Sequence, residues 1–341
     1  MTDVLRIGIL GTARIARSFT LAVRPSRRVT VAAIASRDLD KAQRFARDLG
    51  IARSFDSYES LLADPEIDAV YIPLPNSLHA EWSIRAARAG KHVLCEKPLA
   101  ASAAQARAMF DAARQHDVHL VEGYPYLAHP QTRKMRELLE QGAIGEARLI
   151  QASFGFTLTD GGNIRLNPQL SGGALMDVGV YAVSLIRIVA KQCPARVHAV
   201  ADWTPSDQSG AGEVDNSLAG TLEFTGGLLA QVTCSFNSAL HRQALIVGST
   251  GVIQTTYPNH TSAERPGILN LRKGSDAKAV DSIIETAPAD GFLAEAESFA
   301  RLVREGPAQW SGATPEESID IMMTVEALLR SARCGLPVEV A

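Results

Sequence analysis

Ile7-Gly8-Ile9-Leu10-Gly11-Thr12-Ala13-Arg14-Ile15-Ala16 is an apolar strand, a glycine turn and the start of a helix within ten residues. The same alternation continues for about a third of the chain. Strands are expected at 7–10, 29–35, 54–55, 69–72, 92–95 and 118–122. Helices are expected between them at 14–23, 39–49, 58–62, 79–89 and 101–116, with Gly90 stopping the fourth. Strands alternating with helices of this length imply a doubly wound parallel sheet covered on both faces.

The pattern changes near Tyr124-Pro125. After a helix at 131–141 come longer strands at 147–156, 197–203, 217–224, 228–236, 244–248 and 252–256. Gly226-Gly227 joins two of them as a hairpin. Consecutive strands with short turns imply a mostly antiparallel sheet. Helices at 174–191, 292–304 and 316–333 accompany it, the last capped by Thr314-Pro315-Glu316. Segments 210–212 and 274–277 read as exposed loops. The expected architecture is α/β: a doubly wound domain over 1–123 and an α+β domain with a mostly antiparallel sheet over 124–341.

With 341 residues the chain has enough length for two cores. A net charge of −3 gives no global basic field for nucleic acid or an anionic membrane. The four cysteines are widely separated and no Cys/His cluster has metal-ligand spacing, so no metal site is expected. The first strand begins within a few residues of Met1, without the pattern of a signal peptide. No uninterrupted apolar run is long enough to span a bilayer. A cytoplasmic protein with reduced thiols is expected.

Gly11, Thr12, Ala13, Arg14 and Ile15 form the first βα turn and resemble G-x-G-x-x-A with alanine in the middle position. There the backbone can approach a pyrophosphate, and the helix N-terminus offers it N–H groups. The second strand ends at Ser36-Arg37, a hydroxyl and a guanidinium suited to a ribose 2′-phosphate, which favours NADP. The alternative is NAD, with Arg37 on the surface and Asp38 taking the ribose. Leu74, Pro75, Asn76 and His79 follow the fourth strand at the same rim and are candidates to line the cofactor, although His79 is equally a helix-start histidine with no chemical task.

Glu96-Lys97-Pro98 ends the fifth strand, placing a fixed cation where such sheets bind ligands. Asp177 and Tyr181 lie four apart in a helix entered through Gly172-Gly173, a spacing that puts both on one face. Alone they fit substrate positioning and proton transfer, or simply a polar helix face. If the two domains face each other, Lys97 gives the tyrosine a task. A tyrosine base near neutral pH needs its pKa lowered by ~2–3 units, ~3–4 kcal/mol. One ammonium at about 4 Å, at an effective dielectric of ~20, supplies ~4 kcal/mol.

At these residues the chain resembles the glucose–fructose oxidoreductase / inositol dehydrogenase / rhizopine-catabolism (Gfo/Idh/MocA) family. The Gly11 loop, Pro75-Asn76-x-x-His79, Glu96-Lys97-Pro98, Glu122, His129-Pro130 and Gly172-Gly173…Asp177…Tyr181 stand in the family order across essentially the whole length. The resemblance implies a Rossmann domain followed by a domain with a large open sheet, Lys97, Asp177 and Tyr181 as the active-site residues, and that sheet as an oligomer contact, giving a dimer or tetramer. Tyrosine at 181, Ser36-Arg37 and the segment around Arg165 are similar to the branch of NADP-dependent aldose dehydrogenases and dimeric dihydrodiol dehydrogenase. One departure is the stretch before His129, Tyr124-Pro125-Tyr126, which lacks the family's arginine; Tyr124, Tyr126 and Arg165 are candidates for the substrate wall. The resemblance implies hydride transfer between NADP and a cyclic sugar or polyol. Alternatives are dihydrodiol or other carbonyl turnover, or a dinucleotide-binding sensor without turnover.

Overall fold

Residues 4–204, 212–257 and 264–340 are described by a computed structural model. The expected loop at 210–212 falls mostly outside them. The chain divides into two compact units: residues 1–129 with 289–315, and residues 130–288 with 316–341.

In the first unit, β1 (Leu5–Leu10), β2 (Val29–Ala35), β3 (Arg53–Phe55), β4 (Ala69–Ile72), β5 (His92–Glu96) and β6 (Leu120–Gly123) form one sheet. Their order is β3-β2-β1-β4-β5-β6, and the pairings between neighbours are parallel. That is the doubly wound order, with its reversal between β1 and β4, where ligands bind beyond the strand ends. Helices α1 (Arg14–Val23), α2 (Leu39–Leu49), α3 (Tyr58–Leu62), α4 (His79–Arg88), α5 (Ala103–Gln115) and the short α6 (Pro125–Ala128) accompany the strands. Asp38, Ser57 and Ser102 cap α2, α3 and α5 through side-chain oxygens.

The second unit opens with α7 (Pro130–Glu140) and β7 (Ala147–Thr157). A wide π-helical turn over Leu175–Gly179 runs into α8 (Val180–Ala190) where one continuous α-helix was expected. Then come β8 (Arg196–Trp203), β9 (Asp215–Glu223), β10 (Leu229–Ser235), β11 (Asn237–Gly248), β12 (Gly251–Thr255), β13 (Gly267–Lys273) and β14 (Val280–Thr286). After α9 (Gly291–Glu305) follow α10 (Pro315–Cys334) and β15 (Val338–Glu339). Nine strands form one sheet, β14-β13-β12-β11-β7-β10-β9-β8-β15, antiparallel except where β7 meets β10. Gly226 and Gly227 both take positive φ in the hairpin between β9 and β10. One sheet face is dry: Ile150, Ala152, Ala230, Val232, Leu218 and Leu222 are all buried. Gly220 sits so close to Leu328 of α10 that a Cβ would lie 2.7 Å from it. The other face leaves Leu149 and Leu229, register partners on β7 and β10, about half exposed at 47% and 49%.

Two expectations need correction. The first unit does not end at 123, because α9 returns to it. Phe292, Ala296, Phe299 and Ala300 of α9 belong to the same core as Phe19 and Tyr71. Phe19 stacks on Tyr71 at 4.1 Å and meets Phe292 edge-on at 6.1 Å. The helical run Pro168–Ala190 is, in length and composition, apolar enough to cross a membrane. However, 83% of its most apolar window is buried in the protein, the mark of a core helix.

Candidate active site

The turn after β1 is built to bring backbone close to a ligand. Gly11 has φ +99, and a Cβ there would lie 2.9 Å from Leu74, so only glycine fits. Its N–H donates to Ala35 O of β2 at 2.8 Å, fixing the turn. Thr12, Ala13 and Ile15 are half-buried and Arg14 is exposed. Unlike α2, α3 and α5, helix α1 has no side-chain cap: Ala13 has no oxygen to offer. Its first N–H groups are therefore left to an anion.

At the end of β2 the two rival acceptors for the ribose are treated differently. Asp38 Oδ1 accepts from Lys41 N at 3.1 Å as the cap of α2, and Oδ2 lies 3.7 Å from Lys41 Nζ. The backbone N–H of Lys41 holds its pKa below the usual carboxylate range. Arg37 is exposed, and its charge opposes the rise that burial gives the pKa of the Tyr58 phenol, whose oxygen would lie 3.6 Å from a Cβ on Gly11. The carboxylate is thus engaged in its own helix, while the guanidinium stays exposed. Ser36 Oγ accepts from Asp38 N at 3.2 Å.

His79 is not a lining residue. It is 1% exposed, with Nδ1 2.8 Å from Pro98 O and Nε2 2.8 Å from Leu74 O. Burial pushes its pKa down, and the positive charge of Lys97 adds to that, against the pull of the two carbonyls. Its task is to tie the loop after β4 to the loop after β5, leaving Leu74, Pro75 and Asn76 half-buried at the rim. Glu96 is buried as well. Its Oε1 accepts from Tyr71 OH at 2.6 Å and its Oε2 from Lys97 N at 3.2 Å, so it anchors the strand end that presents the half-buried Lys97. Tyr124 and Tyr126 are 1% and 0% exposed, packed edge to face at 6.1 Å. Neither has surface to offer a substrate, which corrects their expected place in the pocket wall.

In the second unit the expected residues come together. Arg165 Nε donates to Asp177 Oδ2 at 2.6 Å, with the arginine side chain 43% exposed and the carboxylate 13%. Gly172 allows this, since a Cβ there would lie 2.3 Å from Arg165 O. Asp177 lies in the π turn and Tyr181 in the first turn of α8, 4% exposed. Inserted π turns are a frequent way of aiming side chains at functional sites.

What holds that turn is Asp215, which sequence reasoning missed. Its Oδ2 accepts from Leu175 N at 2.6 Å, at the start of the π turn. Its Oδ1 would lie 2.2 Å from a Cβ on Gly173, where φ is +118. Burial pushes the carboxyl up to about 6. An aspartate at the start of a strand carries no local signal of such a role. Glu295 of α9 was missed likewise: it is 1% exposed, and burial, with the charge of Glu96 next, pushes its pKa well up.

Against known proteins, residues 5–124 match the model of an oxidoreductase family with an NAD-binding Rossmann fold, and residues 132–254 match the GFO/IDH/MocA C-terminal domain. A D-xylose 1-dehydrogenase (NADP(+)) of Haloferax volcanii is 39% identical, covering 98% of this chain and 99% of its own. A 3-ketoreductase from Actinomadura kijaniata, solved with NADP and TDP-benzene, is 33% identical with a TM-score of 0.84, over 96% and 98% of the two chains. Variants of that ketoreductase have been solved with one tyrosine changed to phenylalanine or one lysine to alanine, and those two residues have the spacing of Lys97 and Tyr181. An aldose–aldose oxidoreductase from Caulobacter crescentus is 26% identical with a TM-score of 0.87, over 99% and 100%.

Proposed function

The chain belongs to the Gfo/Idh/MocA oxidoreductase family, and from that premise we propose that it transfers a hydride between NADP and a cyclic sugar or polyol. The full-length likeness to NADP-linked sugar enzymes carries the reading. Local geometry supports it: Asp38 is engaged as a helix cap while Arg37 is exposed beside the glycine turn.

The residues fit a dinucleotide. Gly11 and the uncapped start of α1 would hold the pyrophosphate, Ser36 and Arg37 the 2′-phosphate, and Leu74, Pro75 and Asn76 the rim beyond β4. When bound, the nicotinamide supplies or accepts the hydride. The chain's own residues manage the rest. Asp177, kept in place by Arg165, accepts a hydrogen bond from a substrate hydroxyl and orients it. Tyr181 takes the alcohol proton in oxidation and returns it in reduction. Lys97 is the fixed cation of the proposed reaction. His79 and Glu96 hold the backbone that carries Lys97. The open face with Leu149 and Leu229 supports a homo-oligomer, which light scattering tests: a monomer at micromolar concentration contradicts it.

A panel of aldoses, polyols and their keto forms, run with NADP and with NAD, tests the function through absorbance of the reduced cofactor. Turnover with NADP on at least one sugar is expected. Cofactor binding with no turnover across the panel identifies a sensor, and a preference for NAD contradicts the role of Arg37.

A further inference from the structure

Arg242 lies on β11 directly opposite Phe154 of β7. Along β11, residues 242, 244 and 246 share one face, and Ala244 and Ile246 are buried there against Ala152 and Ile150. An arginine therefore occupies an inward position in a strand whose other inward residues are apolar. Its guanidinium sits over the Phe154 ring, 5.0 Å from the centroid. That ring meets Tyr181 at 5.6 Å with a 53° tilt. Tyr257, whose hydroxyl donates to Ser153 O at 2.7 Å, lies near it too.

Among the described residues no carboxylate pairs with Arg242 and no hydrogen bond holds it. A guanidinium stays charged at any working pH. Partly burying one without an acid is costly, and ring stacking recovers only part of that. Burial lowers its pKa, and the two tyrosines Tyr181 and Tyr257 pull the other way. The other titratable groups described around the π turn and α8 are Asp177, paired with Arg165, Arg187, paired with Asp320 and Glu317, and the buried Asp215 and Cys234. Arg242 is thus a cation that the second unit sets one ring away from Tyr181, across Phe154.

We infer that Arg242 is a positioning residue for proton transfer: seated on Phe154, it gives the Tyr181 phenol a fixed positive charge that favours the phenolate. The inference rests on Tyr181 being the proton carrier.

The test is kcat for sugar oxidation against pH at saturating NADP, in wild type, Arg242→Met and Arg242→Lys. The methionine variant is expected to raise the apparent pKa of the acidic limb by about one unit or more, and lysine to bring it most of the way back. Arg242→Gln is read the same way if the methionine variant does not fold. An unmoved limb in the neutral variant overturns the inference, including where KM for the sugar rises, which marks a substrate-binding arginine instead. Tyr181→Phe, run alongside, separates the failures. If it retains wild-type turnover, the reading of Tyr181 itself is wrong. If it is inactive while Arg242→Met keeps the wild-type limb, only the role of Arg242 is lost.

Discussion

The two units build their sites in opposite ways. In the first, the functional surface is mostly backbone: a glycine turn, an uncapped helix start, and loops tied from behind by His79 and Glu96. Its supporting side chains, His79 and Glu96, face inward. In the second, the proposed reacting side chains stand on a distorted helix, with the buried Asp215 and the half-buried Arg242 set around them. A backbone site arises wherever βα units meet in the right order, so it is carried by local pattern. A side-chain site depends on contacts between strands and helices far apart in the chain.

Carboxylates show the difference most clearly. Asp177 acts outward, so Asp177→Ala should lower kcat/KM by ~10²–10³-fold while leaving thermal unfolding close to wild type. Glu96 acts inward. Glu96→Ala should cost ~1–3 kcal/mol of stability, by removing the buried acceptor of Tyr71, with a smaller loss of turnover. Chemical denaturation and steady-state kinetics on both variants would blur the contrast if the pattern reversed.

Acid and base should also act on the two units with opposite sign. Burial pushes Asp215 up to about 6, above an unfolded value near 3.9. The folded state therefore binds this proton more tightly, an advantage present at low pH and lost as pH rises from about 4 to about 6. Asp215→Asn should shift the variant-minus-wild-type stability in the variant's favour by ~3 kcal/mol between pH 4 and pH 7. In the first unit burial, with His119 and Arg304 next, pushes His92 down to about 4. There the folded state excludes the proton, so stability present above about 6.5 is lost as pH falls toward 4. His92→Asn should gain on wild type by ~2–3 kcal/mol on acidification over that window. Denaturant titrations across pH check both, and slopes of the same sign would remove the contrast.

A smaller effect is expected at the cofactor. Arg37→Ala should raise KM for NADP by roughly 30-fold, about 2 kcal/mol, and change KM for NAD little. Equal losses with both cofactors would mean that Arg37 only supports Tyr58 and the turn.

Much of the first unit was legible in the sequence because each βα repeat declares itself locally. Gly11, the strand ends and most helix limits followed from that. The return of α9 was not legible, because the apolar face of a helix does not say which core it joins. In the second unit the sheet was legible only in part. Strand β14 is exposed along most of its length, so it has no alternation to read, and β13 was missed with it. The strand containing Arg242 was expected only from 244 onward, so the inward arginine went unseen. Lys97, Asp177 and Tyr181 stood out through spacing and resemblance. Tyr124 and Tyr126 were misplaced because aromatic residues near a family motif fit a core as well as a pocket.

The proposed hydride transfer needs both Tyr181 and Lys97. The direct measurement is kcat for the best sugar of the panel in Tyr181→Phe and in Lys97→Ala, with NADP binding followed by fluorescence of its reduced form. Each substitution is predicted to lower kcat by ~10²–10⁴-fold while the cofactor still binds. Wild-type turnover in either variant would contradict the claim.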